Sequence, residues 1–273
     1  MMPLQINILK EMSEKDKRIK IINNKKNSGL LFSRAMGILN SKGEYLMSFD
    51  PDDRYQAKTN LKYLYYIAKK LKVDIVSFLV YFLPSKITSS SFTHPKEIIR
   101  QPELYKSLFK NNILNDYFIS NKLVKREIFL NAFNIFKKYI YGEKWCYYED
   151  NIWSILVYKY ENSSISINKK IYYYYLNQDS TMTNRGNILE LKNLLNRYEM
   201  YKQIFTTKNE EKYLIVGFNE LLNVFEKNVN LVKINSEIKD RFINLFKLKF
   251  EIKFFYLYLF FLKYYFLKTG NFE

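Results

Sequence analysis

An apolar segment, Glu44-Tyr45-Leu46-Met47-Ser48-Phe49, runs without a break into Asp50-Pro51-Asp52-Asp53. Few folds tolerate this junction. The apolar part has to be buried as a strand, and three carboxylates then emerge together where the strand ends. In open α/β sheets, ligands collect just beyond such strand ends. Carboxylates this close repel one another unless a cation sits among them. A hard divalent ion, Mg²⁺ or Mn²⁺, suits oxygen ligands and also binds diphosphate. The competing reading is a solvated turn, because Asp-Pro-Asp is good turn chemistry on its own. On these residues alone the two readings stand level.

The rest of the chain supplies a context for that turn. Leu4, Ile8 and Leu9 recur at helical spacing, and Arg18 to Asn23 (RIKIIN) reads as a strand. Gly29 opens a helical stretch, LLFSRAMGIL, and helical spacing returns at Leu61, Leu64, Tyr65, Ala68 and Leu71. Val73 to Phe82 is a long β-branched and aromatic strand. Such alternation argues for an α/β sheet with parallel members. Residues 84–102, with Pro84, Pro95, Pro102 and a serine run, read as a loop, and mixed helical segments follow to about 140. Glu149-Asp150 stands at the front of the periodic stretch NIWSILVYKY, where acidic residues meet the positive end of a helix. Ser164 to Leu176 is a further strand region. After about residue 187 glycine almost vanishes and apolar-basic segments take over. The alternation from Phe246 to Phe254 has a strand period inside an otherwise helical tail, and it is assigned to helix because no turn residue interrupts it.

Composition removes several chemistries. The one cysteine, Cys146, cannot form an intramolecular disulfide, and no Cys/His cluster suggests zinc. The one histidine, His94, precedes Pro95 in a loop with no nucleophile turn near it. The N-terminus lacks the apolar core of a signal peptide. The longest apolar run, Phe254 to Leu262, is far short of the about 20 residues that span a bilayer. A net charge of +17 is compatible with anionic partners. It is also compatible with codon drift, because Lys, Asn, Ile, Tyr and Phe are all abundant and all have codons of A and T alone. Drift weakens a nucleic-acid reading of the basic and aromatic residues.

Asn27 to Asp53 resembles the family 2 glycosyltransferases of the GT-A fold. There, a segment like N-x-G-x-x-x-A-R-N-x-G-I-x-x-A-x-G-E-Y-I-x-F-L-D-x-D-D leads to the metal site. Asn27, Gly29, Arg34, Gly37, Ile38, Gly43, Glu44, Tyr45, Asp50, Asp52 and Asp53 match, and Ala35 stands where the family usually has asparagine. Asn121 to Phe129 is similar to the family's N-K-L-x-x-R-x-x-F element, and Glu149-Asp150 to its E-D pair. Tyr173 to Tyr175 and Ser180 to Thr183 are similar to its closing Y-x-Y and S-I-T elements. The resemblance covers roughly residues 4–185.

The resemblance implies a Rossmann-like mixed sheet flanked by helices, over residues 1–187, with a mostly helical, basic-aromatic extension over 188–273. It implies transfer of a sugar from a nucleoside diphosphate to an acceptor hydroxyl, with inversion at the anomeric carbon. Asp52 and Asp53 would hold Mn²⁺ or Mg²⁺, and Asp50 would serve the nucleotide side or support the metal. Asp150 would take the acceptor proton. Arg34 is a candidate for the donor phosphates or a helix-surface ion pair. Glu149 is a helix-start residue or an acceptor contact, and Lys122 is an acceptor contact or a solvent-facing lysine. The acceptor class stays open among carbohydrate, lipid-linked and protein acceptors; nucleic acid is not expected.

Family members begin with two strands that hold the nucleotide base and ribose. This sequence aligns from the helix after them, so an incomplete catalytic domain is expected, with an unpaired sheet edge. The alternatives are a degenerate, non-catalytic member or a basic module on a membrane surface. Lys247, Lys249, Lys253, Lys263 and Lys268 flank apolar runs and suit either a peripheral membrane contact or a helical cap over the core. The absence of a signal fits a cytoplasmic location.

Overall fold

Alternation of apolar residues along two adjacent strands sets up the layers of the protein. Ile75 and Val124 lie opposite each other and face one apolar cluster; Val76 and Leu123, one residue along, face the other. The computed structural model describes residues 3–56, 59–89, 97–104, 109, 116–141, 144–176, 188–207, 210–217 and 219. Within them the element order is α1 (Pro3–Lys15), α2 (Leu30–Asn40), β1 (Tyr45–Leu46), β2 (Arg54–Tyr55), α3 (Thr59–Leu71), β3 (Ile75–Leu83), β4 (Ile87–Ser89), β5 (Ile98–Arg100), β6 (Lys122–Lys125), α4 (Arg126–Ile140), α5 (Glu149–Tyr160), β7 (Ser163–Tyr175) and α6 (Ile188–Ile204).

The sheet runs β1-β6-β3-β7-β2, with β4 beside β3 and β5 beside β7. Only β3 and β7 pair in parallel; the other pairings are antiparallel. The sheet is therefore mixed, and its parallel pair forms the centre. The first four residues of β3 are buried, as a strand covered on both faces requires. On one face lie α2, α4, α5 and α6. Phe129 and Phe136 meet the ring of Trp153 edge-on at 5.5 and 4.7 Å, and Met200, Tyr201, Phe205 and Tyr213 join the same cluster. On the other face Leu64 and Ala68 of α3 pack on Val76, Phe78 and Ile165.

Three expectations are corrected. Arg18 to Asn23 is not a strand: it carries the right alternation, but no described segment pairs with it, and a strand exists only through its ladder. Residues 84–102 are not all loop, since Ile87–Ser89 pairs with β3 and Ile98–Arg100 with β7. Lys122–Lys125, inside the stretch read as helical, is a strand between β1 and β3. Among the described residues β1 pairs with β6 alone and forms one edge of the sheet. Among the described residues no helix is long and apolar enough to cross a membrane. Ser180 to Thr183, His94 and the tail from 220 onward, including the lysines assigned to membrane contact, lie outside the described residues.

One close approach fixes how α2 enters this core. Gly29 has φ +87°, its amide reaches the side chain of Asn27 at 3.2 Å, and Leu30 N–H donates to the Trp145 carbonyl at 2.7 Å. A Cβ on Gly29 would lie 2.2 Å from that carbonyl oxygen. Gly29→Ala is expected to destabilise the chain by at least about 1–3 kcal/mol from backbone strain alone. Urea unfolding measures it, and an unchanged midpoint would contradict the close approach.

Candidate functional site

The acidic turn is built by its own residues. Asp53 N–H donates to the Asp50 carbonyl at 3.1 Å, which closes a four-residue turn with Pro51 at its second position, where a fixed φ is favoured. The turn is then anchored to β7. Tyr172 Oη donates to Asp53 Oδ2 at 2.5 Å, and Tyr175 N–H donates to Asp53 Oδ1 at 2.9 Å. Tyr55, stacked on Phe49 with ring centroids 5.0 Å apart, donates from its hydroxyl to the Ser48 carbonyl. Burial raises the pKa of Asp53; the Tyr172 and Tyr175 hydrogen bonds pull it back, and the neighbouring Asp52 and Asp50 push it up again.

Arg34, on the inner face of α2, joins this turn to the start of α5. Its Nη2 donates to Asp50 Oδ1 at 2.7 Å, and its Nη1 donates to Glu149 Oε1 at 3.2 Å and to Asp150 Oδ1. The side chain is 10% exposed, so one guanidinium holds three carboxylates largely away from water. Its planar, forked donors and permanent charge suit that task. Burial opposes the charge on Arg34, and Asp150, Asp50 and Glu149 together outweigh it. The acids respond in kind. Burial raises both Asp150 and Glu149, each is pushed further by neighbouring acids, and Arg34 restrains both.

Of the residues singled out in the sequence, the fold therefore gathers Arg34, Asp50, Glu149 and Asp150 in one cleft. Asp52 is exposed on the same turn, and Asp53 is 9% exposed behind it. Among the described residues no three His, Cys, Asp or Glu side chains form a ready-made metal cage. A hard cation carried with a diphosphate needs only one or two protein carboxylates, and exposed Asp52 offers one, with Asp53 beside it hydrogen-bonded on both oxygens to Tyr172 and Tyr175. Lys122 is the exception. Its side chain is fully buried and its ammonium bonds to Asp116, so neither an acceptor contact nor a solvent-facing position describes it. Strand β6 turns it inward.

Three participants carried no motif. Ser120 donates to Asp50 Oδ2 at 3.2 Å. Tyr172 holds Asp53, and period-two counting along the aromatic run of β7 would not have marked it, because Ile171 and Tyr172 are both buried. Tyr148, just before Glu149, has φ 62° and ψ 17°, a left-handed backbone rare for a tyrosine. Its hydroxyl donates to Glu190 of α6 at 2.6 Å, and the Arg197 guanidinium lies 4.8 Å over its ring. Such strain collects at functional sites.

The mixed sheet, with an acidic turn beyond β1 and a carboxylate pair opening α5, has the arrangement expected of a GT-A fold, and comparison with known proteins agrees on the fold. Residues 6–133 match the model of glycosyl transferase family 2. That stretch of the chain is similar to the family. It is 30% identical over 139 residues to an uncharacterized glycosyltransferase of Methanocaldococcus jannaschii, covering 50% of this chain and 43% of that protein. It is 31% identical over 137 residues to the cholesterol galactosyltransferase of Borreliella burgdorferi, covering 46% and 37%. The chain thus spans less than half the length of these curated relatives. Among solved structures, residues 1–349 of S. aureus TarS in complex with UDP-GlcNAc superpose with a TM-score of 0.59 at 15% identity, covering 88% of this chain and 66% of that one. Another TarS structure of the same span gives 0.54 at 18% identity. These share the GT-A fold.

Two expectations follow from the cluster. Arg34→Met leaves three carboxylates without their cation, and stability should fall by about 3 kcal/mol or more in urea unfolding; a loss under about 1 kcal/mol would mean the acids are solvated. The second concerns pH. Glu149 binds its proton more tightly in the folded chain than in the unfolded one. Its contribution is therefore intact below its ordinary value of 4.5 and is lost as pH rises toward about 8. Glu149→Gln should flatten the decline in melting temperature across that window, and an identical slope in both proteins would contradict the shift.

Proposed function

We propose that this chain transfers a sugar from a nucleoside-diphosphate sugar to an acceptor hydroxyl, with inversion. The observation that carries the reading is the convergence of Asp50, Glu149 and Asp150 on Arg34, which joins an acidic turn suited to a diphosphate-bound cation to a half-buried carboxylate, Asp150, suited to proton removal. The family supports glycosyl transfer. The UDP-GlcNAc named for the S. aureus structure supports a UDP-sugar donor, and the sterol acceptor named for the Borreliella relative supports an alcohol acceptor.

Asp52 and Asp53 would hold Mn²⁺ or Mg²⁺, which neutralises charge developing on the leaving diphosphate. Asp53, pinned by Tyr172 and Tyr175, keeps the turn in one geometry, so little reorganisation is needed at the moment of reaction. Arg34 is the cation nearest the acids and orients Asp50 and Asp150 toward a common space. Asp150 accepts the acceptor's hydroxyl proton as that oxygen bonds to the anomeric carbon, and the bond from that carbon to the diphosphate oxygen breaks. A carboxylate whose pKa is raised by burial is the stronger base for this step. Attack opposite the leaving group with a single base inverts the centre. Glu149, on the same guanidinium, is the proposed acceptor contact.

UDP release from UDP-galactose or UDP-GlcNAc by the purified chain, with manganese and a panel of alcohol acceptors, tests the reading. Asp150→Asn should lower turnover by about 10²–10⁴-fold while UDP affinity changes little. Removing both Asp52 and Asp53 side chains should abolish the manganese dependence of UDP binding. Full turnover in Asp150→Asn removes the base assignment, and unchanged manganese dependence removes the metal site.

A further inference from the structure

Behind the cleft lies a polar cluster that no part of the proposed chemistry uses. The Lys122 ammonium donates to Asp116 Oδ1 at 2.7 Å, to Asn121 Oδ1 at 2.8 Å and to the Phe118 carbonyl. Tyr158 of α5 donates its hydroxyl to Asp116 Oδ2 at 2.6 Å. Lys122 and Asp116 side chains are both 0% exposed. Two charges this deep lose their hydration, and apolar residues of equal volume often serve stability as well or better. Net stability is therefore a poor reason for the pair, and the geometry it enforces is a better one.

That geometry is a bend, residues 116–121, tied at three corners. Toward α5, Ser154 Oγ donates to the Tyr117 carbonyl at 2.8 Å, and Tyr158 reaches Asp116. Toward β3, Asn121 Nδ2 donates to the Phe78 carbonyl at 3.3 Å, and Phe78 N–H returns a bond to the Asn121 carbonyl at 3.0 Å. Toward the acidic turn, Ser120 donates to Asp50. Lys122 sits inside the bend and closes it from within. We propose that the buried Lys122–Asp116 pair is a positioning device, fixing the bend so that Ser120 holds Asp50 and α5 holds Asp150 at one cleft.

The functional part of this inference rests on the proposed donor chemistry, so the test carries one readout that needs a ligand and one that does not. Lys122→Met alone strands Asp116 and should weaken both folding and UDP binding. Lys122→Met with Asp116→Leu replaces the pair by apolar volume and should melt within about 3 °C of the natural chain. In this double variant, manganese-dependent UDP affinity should still be about tenfold weaker, because the donor site is looser although the fold is intact. Hydrogen exchange should be faster at residues 116–122 and 148–153 and unchanged in β3 and α4. A double variant that melts, binds UDP and exchanges like the natural chain overturns the proposal, since packing alone then suffices. If the natural chain itself does not bind UDP, the donor reading fails and the exchange pattern alone decides the positioning claim. If the double variant does not fold, Tyr158→Phe decides it: faster exchange at 116–122 supports the device, and natural exchange there overturns it.

Discussion

The contact between Arg34 and three carboxylates links distant parts of the chain directly through charge. Asp50 leaves the end of the β1 segment, and Glu149 and Asp150 open a helix about a hundred residues later. Without a shared cation these acids would repel one another, and a helix N-terminus packed against an acidic turn would be driven apart. With it, α2 becomes the hub of the site. That role in turn depends on Gly29, whose left-handed backbone lets α2 start against the Trp145 carbonyl. A chain of dependence thus runs from one glycine, through the seating of a helix, to the charge balance of the cleft.

The surrounding framework keeps that balance from relaxing. Tyr172 and Tyr175 hold the acidic turn from the central β7 strand, Ser120 holds Asp50 from the bend before β6, and Tyr148 fixes the entry to α5. Each tie comes from an element rooted in one of the two apolar clusters, so disturbance of either face reaches the acids. α6 takes part through Glu190 and Arg197, which grip Tyr148 from a segment beyond the family match at residues 6–133. The described part of the C-terminal region therefore supports the cleft.

What could be read from the sequence was local and periodic. The helix after Gly29 and the helix opened by Glu149 follow from spacing and end chemistry, whereas of the buried strand expected over Glu44 to Phe49 only Tyr45–Leu46 pairs, and Phe49 is 50% exposed. The motif order pointed to the family resemblance and to Arg34, Asp50 and Asp150. Pairing was not legible. RIKIIN alternates as well as any true strand, yet no described segment pairs with it, whereas Lys122–Lys125 is a strand because β1 and β3 flank it. Lys122 shows the same limit at a side chain. Lysine is usually exposed, and only the fold reveals that Asp116, Asn121 and the Phe118 carbonyl wait for it.

The edge left at β1 connects these points. On that side a hollow of about 270 Å³ lies between α2 and Leu46–Ser48, with Gly37 and Ile38 on one wall and Arg34 at its end. A Cβ on Gly37 would meet nothing within 4 Å. Arg34 lines this mostly apolar space as well as bonding to the acids. The hydrogen bonds that fix the guanidinium therefore come from Asp50, Glu149 and Asp150.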